Sequence, residues 1–179
     1  MICKNSGVNF DEHEGIFSVN LLKQIHTISY PLGDVDVDKL NIKYALKTLL
    51  LRYLIKCKDV PSVGEMIHYR DVPDGNIYYH NFFGRCILRL SKTFKDKFDH
   101  LNSAMEKLNA EKLNLGDLSY KVEFLPNVYV YVILWHGDEE FSASAQILFS
   151  ENIAYYFSAE DLAFVGDVLN DKLVELAFR

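Results

Sequence analysis

Residues 128–135 read VYVYVILW, the longest uninterrupted apolar run in the chain, rich in β-branched and aromatic side chains. Bounded by Pro126-Asn127 before it and Gly137-Asp138 after it, such a run reads as a strand whose two alternating faces are both apolar. A strand of that kind belongs in the interior of a sheet with both faces covered, so this segment marks the center of the fold. Eight residues also fall far short of the roughly 20 that a membrane-spanning helix requires, and no membrane span is expected.

The run leads into LWHGDEEFSASAQILFS (134–150), and Gly137-Asp138 suits a two-residue type II′ turn with glycine at the positive-φ position. In that register Leu134, Val132, Val130 and Val128 share an apolar face with Phe141, Ala143, Ala145 and Ile147. Trp135, Ile133, Tyr131 and Tyr129 share the other face with Glu140, Ser142, Ser144 and Gln146. A loop one residue longer or shorter would instead set the aromatic face against Phe141 and Ala143, and the sequence leaves both registers open. The aromatic face is too large for idle surface, so a helix or a partner is expected to cover it. Adjacent Glu139 and Glu140 at a strand start diverge, which makes them a poor acid–base pair. Asp138 and Glu140 can converge, and with His136 they make a candidate divalent-metal or active site, set against the simpler reading of solvated turn acids.

Elsewhere, Phe17, Val19 and Leu21 alternate in GIFSVNLL (15–22), and HTISYPLGDVDV continues the β structure through a Pro/Gly turn. From 41 to 57, Ile42, Ala45, Leu46, Leu49, Tyr53, Leu54 and Cys57 step by three and four, a helix that Leu50, Leu51 and Ile55 widen into one enclosed on most sides, with Lys43 and Lys47 at its solvent edge. Residues 59–79 carry Pro61, Gly64 and Pro73-Asp74-Gly75 and read as short strands and loops. Phe94, Phe98, Leu101, Met105 and Leu108 predict a helix over about 92–109. The final helix starts at Ser158 as N-cap, with Asp161 at its third position in the manner of a capping box. Strands gathered in meanders between helices predict an α+β class: one domain over 1–179, with 1–14 loosely ordered, a mainly antiparallel sheet and about three helices.

The 179 residues suffice to bury roughly 70% of the unfolded surface. The three cysteines, Cys3, Cys57 and Cys86, are isolated and carry no zinc or iron–sulfur spacing; Cys57 reads as a buried small hydrophobe, and no cofactor is expected. Formal charge is −6, and residues 134–179 hold nine carboxylates against Lys172 and Arg179 alone, which argues against nucleic acid as partner. Arg85, Arg89, Lys92, Lys95 and Lys97 interleave with acids as a solvated helix face. Asp167, Asp171 and Glu175 form a second, acidic stripe, either solvated or available to a basic partner. YYHNFFGR (78–85) sets aromatics beside His80 and Arg85, which could line a pocket for a planar or anionic molecule, or pack as core. The first residues carry no secretory or transit pattern, so a cytoplasmic address is expected by default.

The stretch LPNVYVYVILWHGDEEFSASAQILFSENIAYYFSAEDLAFVG resembles the family catalogued as domain of unknown function 3786, as do the Leu-rich helix ending in LLLRYL and the block VGEMIHYRDVPDGNIYY. That family often has proline after its Glu-Glu-Phe and aspartate after its Leu-Phe, where this chain has Ser142 and Ser150. The resemblance implies a setting in anaerobic bacteria or archaea and no particular activity. With no catalytic motif in the chain, the expectation is a non-catalytic binding or accessory module, engaging a protein partner or a second copy through the sheet face or the acidic C-terminal surface. The binding candidates are Trp135, His136, Asp138, Glu140, Tyr129, Tyr131, His80 and Arg85. The alternative is a metal- or cofactor-dependent enzyme centered on His136, Asp138 and Glu140.

Overall fold

The computed structural model describes residues 7–36, 43–56 and 60–179. Cys3, Cys57 and the first positions of the helical stripe at 41–42 lie outside the described residues. The chain is α+β, with its strands divided between two antiparallel sheets where one was expected. Strands β1 (Val8–Asp11), β2 (Ile16–Leu21) and β3 (Gln24–Ser29) form a meander, while β4 (Met66–His68), β5 (Glu111–Leu113), β6 (Leu118–Leu125), β7 (Val128–Trp135) and β8 (Ser144–Ser150) form a sheet in the order β4-β8-β7-β6-β5. The helices are α1 (Lys43–Ile55), α2 (Gly75–Phe82), α3 (Leu88–Phe94), α4 (Phe98–Lys107), the single turn α5 (Ile153–Tyr156) and α6 (Ala159–Phe178). No helix among the described residues is long and apolar enough to cross a membrane.

The apolar run is the central strand β7, as its two-sided pattern requires. Val128, Val130, Val132 and Leu134 are buried beneath the helices, beside Tyr120 and Val122 of β6 and Ile147 and Phe149 of β8. The tight hairpin after it is not formed. Pairing runs Leu134 to Ala145, Val132 to Ile147 and Val130 to Phe149, so the strands stop at Trp135 and resume at Ser144 across an eight-residue loop. The shift of four residues preserves parity: the apolar face of β7 still meets the odd-numbered residues of β8. The loop is set by Asp138, whose Oδ1 accepts the N–H groups of Glu140 (2.9 Å) and Phe141 (2.6 Å), while its own N–H donates to Phe141 O (2.9 Å). Gly137 is packed so closely that a Cβ there would lie 2.6 Å from Ala143 N. On the opposite face of β7, Tyr131 and Ile133 are 2% and 4% exposed within the chain itself, and the turn at Gly116 folds against Ile133 and Trp135.

The β2–β3 hairpin turns on Leu22 and Lys23, both at positive φ (48° and 63°), positions where glycine or asparagine is usual. Burial of the Leu22 side chain and the hydrogen bond from its N–H to Phe124 O (3.0 Å) hold this turn against β6. The small sheet then packs its Leu21 and His26 side onto Leu46 of α1 and Val168 and Lys172 of α6. In α1, Leu46, Leu49, Leu50 and Tyr53 are buried, but Ile55 is 82% exposed, so the helix is covered on one face and not on most sides.

Gly75 begins a helix where the sequence suggested loops. α2, a π-helical turn at Phe83–Ile87 and α3 run on continuously, and the chain breaks at 95–97 before α4. The wide turn leaves Cys86 O to Asn170 Nδ2 of α6 (3.1 Å), which also donates to Gly166 O (2.9 Å). Here α6 crosses at Gly166, with Cys86 Sγ donating to Ala163 O (3.4 Å). Burial pushes the Cys86 thiol up to about 12, so it sits as a neutral packing group. The acidic stripe of α6 is not a solvated face: Asp167 is paired with Arg85, Asp171 with Arg89, and Glu175 with Lys172 (3.3 Å) and Arg179 (3.2 Å).

A Cβ on Gly166 would fall on Cys86 Sγ and 2.7 Å from Cys86 Cβ. Gly166→Ala therefore lowers unfolding free energy by about 1–3 kcal/mol through overpacking, read as a lower urea midpoint. His26 is 3% exposed, hydrogen-bonds the backbone of Asp36 and leaves Nδ1 without a partner among the described residues. Burial holds its folded pKa below 6.5, so the unfolded chain takes up the proton first. Stability is thus fully present above about pH 6.5 and falls as pH drops toward the folded pKa; urea titrations across that range should show a steeper fall for the wild type than for His26→Gln.

Candidate functional site

The last turn of α1 and the residue after it carry Arg52, Ile55 and Lys56 along one wall of a cleft of about 380 Å3. The facing wall comes from α5 and its exit: Ala154, Tyr155, Phe157 and Ser158. Val72, Pro73 and Asp74, from the connection into α2, close the third side. This geometry follows from local structure. α5 ends after one turn because Phe157 is extended (φ −131°, ψ 143°), and Ser158, also extended, then caps α6. Tyr156 is turned inward, its ring 5.2 Å from that of Tyr53 and its hydroxyl accepting from Val60 N (3.3 Å). Tyr69 fixes the start of α6 from below, its buried hydroxyl donating to Ala159 O (2.6 Å). Burial pushes that phenol up to about 12.

Asp161 organizes the electrostatics. Only 2% of its side chain is exposed, and its Oδ2 accepts from Ser158 N (3.0 Å), Ser158 Oγ (2.8 Å) and Arg52 Nη1 (2.6 Å). The capping box expected from the sequence is present, and Arg52 adds a third partner from a helix distant in the chain. Arg52 itself is 49% exposed and uses one of its five N–H donors on Asp161. The Lys56 ammonium lies 5.9 Å from the Tyr155 ring centroid. Among the described residues no three His, Cys, Asp or Glu side chains gather in a way that could hold a metal ion, and the cleft presents donors in place of cation ligands.

None of the eight residues singled out from the sequence lines this cleft. Trp135 sits at the end of β7, partly exposed. His136 stacks on Phe98 (3.8 Å between rings) and its N–H donates to Asp117 (2.7 Å). The backbone N–H groups of Phe141 and Glu140 hold the exposed Asp138 carboxyl below its usual range, and Glu140 projects from the same loop into solvent. These three do not form a ligand cluster. Tyr129 lies under the Lys121 ammonium (4.4 Å), and burial raises the hydroxyls of both Tyr129 and Tyr131. His80 is exposed on α2, and Arg85 is taken up by Asp167, with its guanidinium 5.5 Å from the Phe164 ring. The residues that do meet in the cleft left one trace in the sequence: Arg52 interrupts an apolar helical stretch, and the capping acid Asp161 is 109 positions away. Their pairing becomes visible only when α1 and α6 are packed together.

Fold and site together define an α+β protein with helices layered on one face of a five-stranded antiparallel sheet and a concave site where α1 meets the start of α6. The chain belongs to the family described as Domain of unknown function (DUF3786), whose sequence model matches residues 1–172. No curated protein and no solved structure matches it.

Removing Arg52 strands a buried carboxylate. Arg52→Ala is expected to cost about 1–3 kcal/mol, below the range for fully buried pairs because the guanidinium is half in solvent. Arg52→Lys should recover part of that loss in the same denaturant titration.

Proposed function

We propose that the protein is a binding module without chemistry of its own, and that its ligand site is the cleft between α1 and the start of α6. The observation that carries this reading is the cleft itself, about 380 Å3, lined by Arg52 and Lys56 on one wall and by Tyr155 on the other. Its size falls within the roughly 300–1,000 Å3 of small-molecule sites, and its lining combines the charged side chains of Arg52 and Lys56 with Ile55, Pro73 and Tyr155. The groups present suit holding a ligand more than transforming one. Ser158 Oγ is spent in the helix cap, and no histidine among the described residues lines the cleft. The surfaces first considered for a protein partner offer less: Tyr131 and Ile133 are already buried, and Asp167 and Asp171 already have arginine partners.

The test is a titration of isotope-labelled protein with pools of anionic, cationic and neutral organic fragments, followed by amide chemical shifts. Saturable shifts at Lys56, Asp74, Tyr155 and Ser158 are expected. Fragments that perturb only other surfaces, or none, would remove the basis for the reading.

A further inference from the structure

We propose that the cleft takes a small organic anion, a carboxylate or phosphate on an apolar body, with the anionic group held between Arg52 and Lys56. This rests on the cleft being the ligand site, and adds the chemical class. Three observations carry it. First, the charges that a ligand can reach are unequal. Asp161 is withdrawn, at 2% exposure, behind two bonds from Ser158 and one from Arg52. Arg52, at 49% exposure, keeps donors free, and a guanidinium can serve two carboxylates at once through different edges of its fork. Second, Lys56 directly follows the end of α1 and its N–H donates to Arg52 O (3.0 Å), so the two cations are neighbors at i, i+4 and repel one another until an anion lies between them. Third, the opposite wall offers apolar surface: the half-buried Tyr155 ring lies 5.9 Å from the Lys56 ammonium, and Ala154 next to it is exposed. A planar or short apolar body fits against such a wall, with its charge directed at α1. Asp74, the one exposed carboxylate that lines the cleft among the described residues, belongs to the wall formed by the α2 connection and not to the wall that carries the two cations.

The probes are benzoate, phenyl phosphate, benzamide and benzylamine, each titrated into the whole protein by calorimetry and by amide shifts. Benzoate or phenyl phosphate should bind at the cleft at least about 10-fold more tightly than benzamide, a difference of about 1.4 kcal/mol. Whichever of the two binds better identifies the headgroup. Raising salt from about 0.05 M to about 0.5 M should weaken that binding, since half-exposed cations are screened. Lys56→Gln, which leaves the Arg52–Asp161 pair intact, should weaken it several-fold without changing the urea midpoint. Benzamide or benzylamine shifting the cleft amides at equal or lower concentration would overturn the anion assignment while leaving the cleft as a binding site. An affinity for anions that Lys56→Gln and Arg52→Lys both leave unchanged would overturn it as well. If no probe or fragment moves the cleft amides, the reading of the cleft as a site falls, and the assignment with it.

Discussion

The close crossing of α6 over the π-helical turn between α2 and α3 is the contact on which the remaining structure depends. At Gly166 the two helices approach until there is no room for a side chain, with Cys86 filling the space a Cβ would need. An approach that close would normally leave backbone groups unsatisfied, because the wide turn breaks the i to i−4 pattern. Asn170 resolves this by donating to Cys86 O on one side and to Gly166 O on its own helix. A buried asparagine with both Nδ2 hydrogens used costs little, and it fixes both the rotation and the height of α6 against its neighbor. Overpacking at Gly166 or loss of the Asn170 amide would disturb the same contact from its two sides.

Everything α6 touches is then placed by that crossing. Four residues before and after Gly166 lie Leu162 and Asn170, and one turn earlier still stands the cap at Ser158, so the edge of the cleft formed by Ser158 and Asp161 is held by a rigid element. The same helix carries Asp167 and Asp171 along the edge facing Arg85 and Arg89, which clamp it alongside α2 and α3. Such half-exposed pairs are each worth little, but their repetition one turn apart sets register between helices that hydrophobic packing alone would leave free to slide. At its far side α6 supports the three-stranded meander through Val168 and Lys172. Two sheets that share no hydrogen-bonded strand pair are thereby joined to one helix.

Much of this was legible from residue patterns. The two-sided apolar run could only be a central strand, and it is one; the Ser158 and Asp161 cap lies where its sequence places it. The parity of β7 against β8 could be read because side chains alternate with period two, so a loop that grows by four residues leaves every face where it was. The length of that loop could not be read, because it is decided by Asp138 taking two backbone N–H groups, a local bond that competes with strand pairing. Helix α2 was missed since Pro73-Asp74-Gly75 is as good a helix entry as it is a turn, and only the packing of Phe82 on Tyr69 (4.1 Å) selects between them. The charges were least legible. Acids read as solvated find arginines some 80 residues earlier, and Arg52 finds Asp161 across an even longer separation, because ion pairs between helices leave no periodic trace.

Ser150 shows how a departure from a family pattern can be weighed. The family resemblance read from the sequence sets an expected aspartate against Ser150 at this position. Here the residue is fully buried at the end of β8, where Ser150 Oγ accepts from Tyr129 N (3.0 Å) and donates to Asn152 Oδ1 (2.7 Å). Asn152 in turn donates from Nδ2 to Val60 O and Asn127 O, both at 2.7 Å. The position is therefore an acceptor for the first β7 amide pair and a link to the loops that flank it. An aspartate could accept from the same amide, but ionized it could not donate to Asn152 Oδ1, and that amide would have to turn over to bring its Nδ2 toward the carboxylate. The turn at Asn127 and the segment at Val60 would then lose their donor. Serine and Asn152 are thus a matched pair, and the change at 150 is read as an exchange within a structural network, at a position no ligand in the cleft would reach.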